Sequence, residues 1–120
     1  MPASSKVKDA ASKATTASES GDHDLALSLL RDAWSDDLKK GDQVLLIRTA
    51  GTVHMSRGQA DESIRRQAWK DARKSLEKAQ RIDSGNKETR RQLNSLMSMM
   101  DESGIYVGRG FSMFANGEPT

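Results

Sequence analysis

Three features of the chain predict an all-α fold of antiparallel helix pairs. Glycines at Gly21, Gly41, Gly58, Gly85 and Gly104 each follow a stretch of helical composition, where a left-handed residue ending a helix belongs. Their spacings of 20, 17, 27 and 19 residues suit helices joined by short turns, one pair stacking on the next. Between the glycines, apolar residues recur every three or four positions, the period of a helix with one buried face.

Residues 1–5 read as a disordered lead-in. Residues 6–19 are rich in Ala, Ser and Thr, so this opening helix has few large groups to bury and frays unless a neighbour holds it. The next helix is predicted over 22–38, because Leu25, Ala26, Leu29, Leu30 and Ala33 form one stripe and Asp22 or Asp24 can accept from its first free amides. After Gly41, Asp42 is the expected N-cap of a helix to about Arg57, with Val44, Ile47, Ala50, Gly51, His54 and Met55 along one side. A long charged helix over 60–82 follows, burying Ile64, Ala68, Ala72, Leu76 and Ala79 with Trp69 beside them. Ser84, Gly85 and Asn86 stop it and cap a last helix over 87–102, which turns Leu93, Leu96, Met97 and Met100 inward. From residue 103 glycines alternate with Ile105, Tyr106, Val107, Phe111, Met113 and Phe114, a non-helical tail that reads as a short strand, a segment packed on the bundle, or one ordered by a partner; because the helical stripes already account for one another, these residues are expected to dock on a partner or a neighbouring copy rather than complete the monomer's own core.

Composition narrows the chemistry. A chain of 120 residues with 35% hydrophobic and 30% charged side chains makes one small domain with a modest core. It has no cysteine, which excludes disulfides, thiolate zinc sites and thiol nucleophiles and fits a reducing compartment. Val44–Ile47 is the longest aliphatic run, far short of the roughly 20 residues of a membrane helix, and the N-terminus lacks the apolar stretch of a secretory signal, so a soluble cytoplasmic protein is expected. Charge is divided: residues 57–91 carry eleven Lys or Arg against six Asp or Glu, or +5, whereas residues 1–42 carry six against eight, or −2. A basic middle can face an acidic peptide or nucleic-acid phosphate, and it equally describes a solvated helix surface.

No constellation of an enzyme is present. His23 and His54 are the only histidines, with no further ligands at metal spacing, so neither metal nor cofactor is implied. No serine sits in a Gly-x-Ser-x-Gly turn, and no carboxylate pair stands isolated in apolar surroundings. Gly108-Arg109-Gly110-Phe111 lacks both the Gly-Lys-Ser/Thr ending of a phosphate loop and the repetition of an Arg/Gly tract. Met97, Met99, Met100 and Met113 cluster late, as core residues or as an adaptable contact surface.

The run Gly21-Asp22-His23-Asp24-Leu25-Ala26-Leu27-Ser28-Leu29-Leu30-Arg31-Asp32-Ala33 resembles the second half of a tetratricopeptide repeat, with Gly21, Ala26, Leu30 and Ala33 at that family's turn, small, bulky and small positions. Ile47, Ala50, Gly51, His54 and Gly58 match the first helix of a second unit, Ala72, Leu76 and Ala79 its second helix, and Leu93 and Met97 the first helix of a third. The resemblance covers residues 6–102, about two and a half degenerate repeats. It departs at Ala10, Lys13, Ala14 and Ala17, which keep the small residue and lose the bulky ones, and in about nine additional residues between Gly58 and Ala72 relative to the 34-residue period. A plain helical bundle, which also needs small residues at its crossings, stays open.

The resemblance implies a non-enzymatic adaptor or assembly subunit that holds a partner segment in a groove formed by the first helices of successive units. Counted from Val44 and Lys87, the groove positions are Leu45, Arg48 and Thr52, then Glu88, Arg91 and Ser95, with Lys8, Ala11 and Thr15 from the opening helix. Arg48 and Arg91 would share a face suited to an acidic protein partner, and Tyr106, Phe111 and Phe114 add a second contact or self-association through the tail. The carboxylate-clamping residues by which some family members hold a chaperone's C-terminus are missing at Ala11 and Thr15. Two other readings stay open: a nucleic-acid-associated protein using Arg65, Arg66, Lys70, Arg73 and Lys74, and a structural subunit of a virion or large complex.

Overall fold

The computed structural model describes residues 5–105, which form five α-helices and, among them, no strand. They are α1 (Ser5–Glu19), α2 (His23–Ala33), α3 (Lys40–Ala60), α4 (Arg65–Ile82) and α5 (Lys87–Glu102), with a single 3₁₀ turn, Glu62–Ile64, before α4. The all-α class expected from the stripes is what the chain adopts. Tyr106, Phe111 and Phe114 lie outside the described residues.

Two of the five glycines end helices as expected. Gly21 (φ 88°) and Gly104 (φ 70°) are left-handed, and each closes the same pair of bonds. After α1, Gly21 N donates to Ser18 O and Asp22 N to Ala17 O; after α5, Gly104 N donates to Asp101 O and Ile105 N to Met100 O. This Schellman geometry satisfies carbonyls the helix leaves open and brings the residue after the glycine back onto the last turn. Ile105 is therefore buried with Met100 in the core. The tail, expected from residue 103 onward to dock on a partner, begins at Ile105 as part of the monomer's own core.

The other boundaries shift for local reasons. Asp22 caps α2 by accepting from Leu25 N at 3.1 Å, but the helix stops at Ala33 rather than 38. There Trp34 is extended, its Nε1 donates to Asp36 Oδ1 at 3.1 Å, and Ser35 Oγ accepts from Asp37 N. Short polar side chains compete in this way with helical bonds. Gly41 does not precede α3 but lies in its first turn; Lys39 is the N-cap, without a side-chain bond, and Asp42 sits buried inside that turn. Asp61, accepting from Ser63 N and Oγ, opens the 3₁₀ turn, so α4 starts at Arg65 rather than near 60. Asn86 caps α5 at Thr89 N, 2.8 Å away.

Gly58 lies within α3 and is there for contact, not for a stop. A Cβ at this position would collide with Nε1 and Cδ1 of Trp69, and one at Gly51 would come within 2.9 Å of Leu76. The two glycines let α3 and α4 cross closely, in an antiparallel register running from Gly58 beside Trp69, through Gly51 beside Leu76, to Val44 and Ile47 clustered with Ala79. Trp69 Nε1 donates to Met55 O at 3.1 Å, and Arg65 donates through Nε to Gly58 O at 2.8 Å while standing over the indole ring.

On one side of this pair α1 and α2 pack against α3 around Val7, Ala14, Ala26, Leu30, Leu46 and Val53. The alanine-rich α1 is held there by a face of small groups: Ala11, Ala14 and Ala17 are all buried. On the other side α5 packs on α4 through Leu96 and Met100 against Ala68, Ala72 and Leu76, and barely touches α3.

Candidate functional site: the cleft between α3 and α5

Because α5 rests on α4 and only grazes α3, a cleft of about 360 Å³ remains between α3 and α5. Thr52, Met55, Ser56 and Gln59 form its α3 wall, and Glu88, Arg91, Gln92 and Ser95 its α5 wall. Each set recurs at helical three- and four-residue steps, so each presents one face to the gap. Thr52 of one helix and Glu88, Arg91 and Ser95 of the other, 36 or more positions away in the chain, are thus brought together. The far end is bridged by Gln59 Nε2, 3.5 Å from Met99 Sδ.

Seven of the eight residues lining the cleft carry polar side chains, and its one acid and one base leave little net charge. Thr52 Oγ1 donates to Thr49 O at 2.7 Å, which leaves its lone pairs free to accept. Arg91 Nη1 donates to Glu88 Oε1 at 2.9 Å, so the cation expected to grip an acidic partner is already matched by its neighbour three residues back. Gln92 Oε1 is buried without a hydrogen-bond partner among the described residues. Hydroxyls, amides and an ion pair along two walls are groups that bond an extended peptide's N–H and C=O.

Arg48 lies one helical turn before Thr52 on the same face of α3, and its Nε is buried with no hydrogen-bond partner. An orphaned donor on a charged group costs folding free energy, on the order of 1–3 kcal/mol or more. Leu45, also on the predicted face, packs half-buried against the α1/α2/α3 core. Of the α1 positions, Lys8 and Thr15 are exposed, while Ala11 is turned into the core. Sequence reasoning missed Ser56, Gln59 and Gln92; the first two lie one and two turns beyond Thr52, where extending the same face would have found them.

The basic set divides. Arg65 is committed to Gly58 O and the Trp69 ring, and Arg73 pairs with Glu77 at 2.9 Å with its side chain mostly covered. Arg66 and Lys74 are exposed and Lys70 half-exposed.

On the opposite side of α3 a second cleft, about 240 Å³, is apolar, lined chiefly by Leu27, Leu30, Trp34, Ile47 and Ala50. His54 stands at its edge with Nδ1 2.8 Å from Arg57 Nη1. The guanidinium can only donate, so Nδ1 accepts and the ring proton sits on Nε2. Burial and then the Arg57 charge lower the His54 pKa against an opposing pull from Asp71, and the net lowering favours the neutral ring. Among the described residues no three His, Asp or Glu side chains gather as a metal site would require, and no helix is long and apolar enough to cross a membrane. Comparisons with family models, curated proteins and solved structures find no match for the chain.

Proposed function

We propose that the protein is a non-enzymatic interaction module, arranged as a short tetratricopeptide-like stack, that holds an extended segment of a protein partner in the α3/α5 cleft. One observation carries the reading: helices from successive pairs place Thr52, Ser56, Gln59, Gln92 and Ser95 on facing walls of an open, hydrogen-bonding cleft. Arg48, half-exposed one turn before Thr52 on the same face of α3, would bring its guanidinium to a carboxylate of the segment. With Arg91 matched by Glu88, the acidic preference rests on Arg48, and main-chain hydrogen bonding contributes most of the affinity.

Selection of peptides from a random library on the immobilised protein tests this. Enriched peptides should lose binding to a Ser95→Trp variant, whose indole fills the cleft from an exposed position, and keep binding to Leu27→Ser in the opposite cleft. Peptides that bind Ser95→Trp as well as the parent would remove the cleft as the site.

A further inference from the structure

We infer that the outward face of α4 binds the phosphate backbone of duplex nucleic acid, a site separate from the α3/α5 cleft. The helix carries seven Lys or Arg against two Asp or Glu, a balance of +5 over 18 residues. Its buried face takes Ala68, Trp69, Ala72, Leu76 and Ala79, which leaves the charges to the opposite side. There Arg66, Lys70, Lys74 and Arg81 fall at i, i+4, i+8 and i+15, a stripe along one edge about 22 Å long at 1.5 Å per residue.

None of the four makes an ion pair or a side-chain hydrogen bond among the described residues. The acid standing among them, Glu77, is taken by Arg73, and Lys78, on the flank toward α2, stands over the Trp34 ring. Four cations without an ion-pair partner, stepped four, four and seven residues apart along one edge, match a polyanion that carries charge along its whole length.

The same face argues for phosphate over an acidic protein. Partner proteins are anchored by apolar or aromatic groups in pockets, and no apolar residue lies on this stripe. It offers no ring for stacking unpaired bases either, since Trp69 is buried, so a duplex backbone fits better than a single strand. Without groups directed at base edges, binding is independent of sequence.

The test is fluorescence anisotropy of a labelled mixed-sequence DNA duplex against the full chain. Four phosphate contacts give a log–log salt slope near −3.6, so affinity should fall about a hundredfold between roughly 50 and 200 mM salt. A variant with Arg66→Gln, Lys70→Gln, Lys74→Gln and Arg81→Gln should lose most of the binding and flatten that slope while its circular dichroism is unchanged. The charge-matched control, with Lys6→Gln, Lys8→Gln, Lys13→Gln and Lys39→Gln, removes four exposed cations elsewhere and should bind as the parent does. The inference is overturned if the duplex does not bind at low salt, if the α4 variant binds normally, or if the control loses as much. Equal competition by polyglutamate at matched charge, or tighter binding of the single strand, overturns it as well.

Discussion

At Gly58 a single methyl group decides how α3 meets α4. In an exposed helix Gly→Ala gains about 1 kcal/mol of propensity, but here the added Cβ runs into a buried indole that also donates to Met55 O. Overpacking of this kind costs about 1–3 kcal/mol, so Gly58→Ala should lower the urea midpoint. At Gly41 nothing lies within 4 Å of the new atom, and the same substitution should leave stability unchanged or raise it. Equal destabilisation at both sites would contradict the crossing described. The sequence marked Gly58 as a special position yet suggested a helix stop, because its partner Trp69 is eleven residues away across a turn, and only the register of two helices makes them neighbours.

Arg48 and His54 sit on different sides of the same helix and make different predictions. Arg48→Leu removes a buried donor that has no partner, so the free protein should be as stable or more stable while peptide binding weakens; a large loss of stability would mean the guanidinium is satisfied in the folded chain. For His54 the folded-state pKa lies below its usual value near 6.5, so the unfolded chain takes up the proton first as pH falls. The stability that neutral His54 supplies is complete above about pH 6.5 and is lost as pH drops through the lower folded-state value. Denaturation midpoints should fall on acidification in the parent and less so in His54→Gln; parallel curves would show that the ring's protonation is not felt by the fold.

Among the elements, α5 was the most legible: Asn86 as cap, a four-residue apolar rhythm and Gly104 as stop gave its limits in full. The end of α2 was not. Its stripe continues to Leu38 on paper, but the Ser35–Asp37 cluster bonds its own backbone first. The tail was misread at its first apolar residue for a comparable reason. A Schellman turn folds Ile105 onto Met100, and that contact depends on the φ of Gly104 rather than on any periodicity. Ile105→Ala should therefore cost about 2–3 kcal/mol, the low end of the range for truncating a buried isoleucine, since Ile105 keeps a small exposed edge. Deleting residues 104–120 should cost at least as much, whereas a midpoint unchanged by either alteration would return Ile105 to the surface. At the α3/α4 crossing, Ala72→Leu should cost a similar 1–3 kcal/mol, since Ala72 has no exposed surface and lies against the Gly51 backbone.

For the whole molecule, the chain's pattern of stripes foretold five helices, and short turns foretold neighbouring pairs. What it could not foretell was the balance of contacts around α3. This helix packs closely on α4 through glycines, holds α1 and α2 on one flank, and keeps α5 at a distance on the other. That asymmetry opens the cleft and brings Thr52 to Glu88, Arg91 and Ser95. Counting along the resembled repeat found half of its walls. The Glu88–Arg91 pair, which quiets the charge there, needed the side-chain geometry.

A partner segment seated in the α3/α5 cleft has a direct signature in amide chemical-shift mapping. Titrating a selected peptide into isotope-labelled protein should perturb Thr52, Ser56, Gln59, Glu88, Gln92 and Ser95 together, with Arg48 at one end and little change at Leu27, Leu30 or Ala50. Perturbations confined to the α2/α3 side, or spread along α4 with the cleft silent, would contradict it.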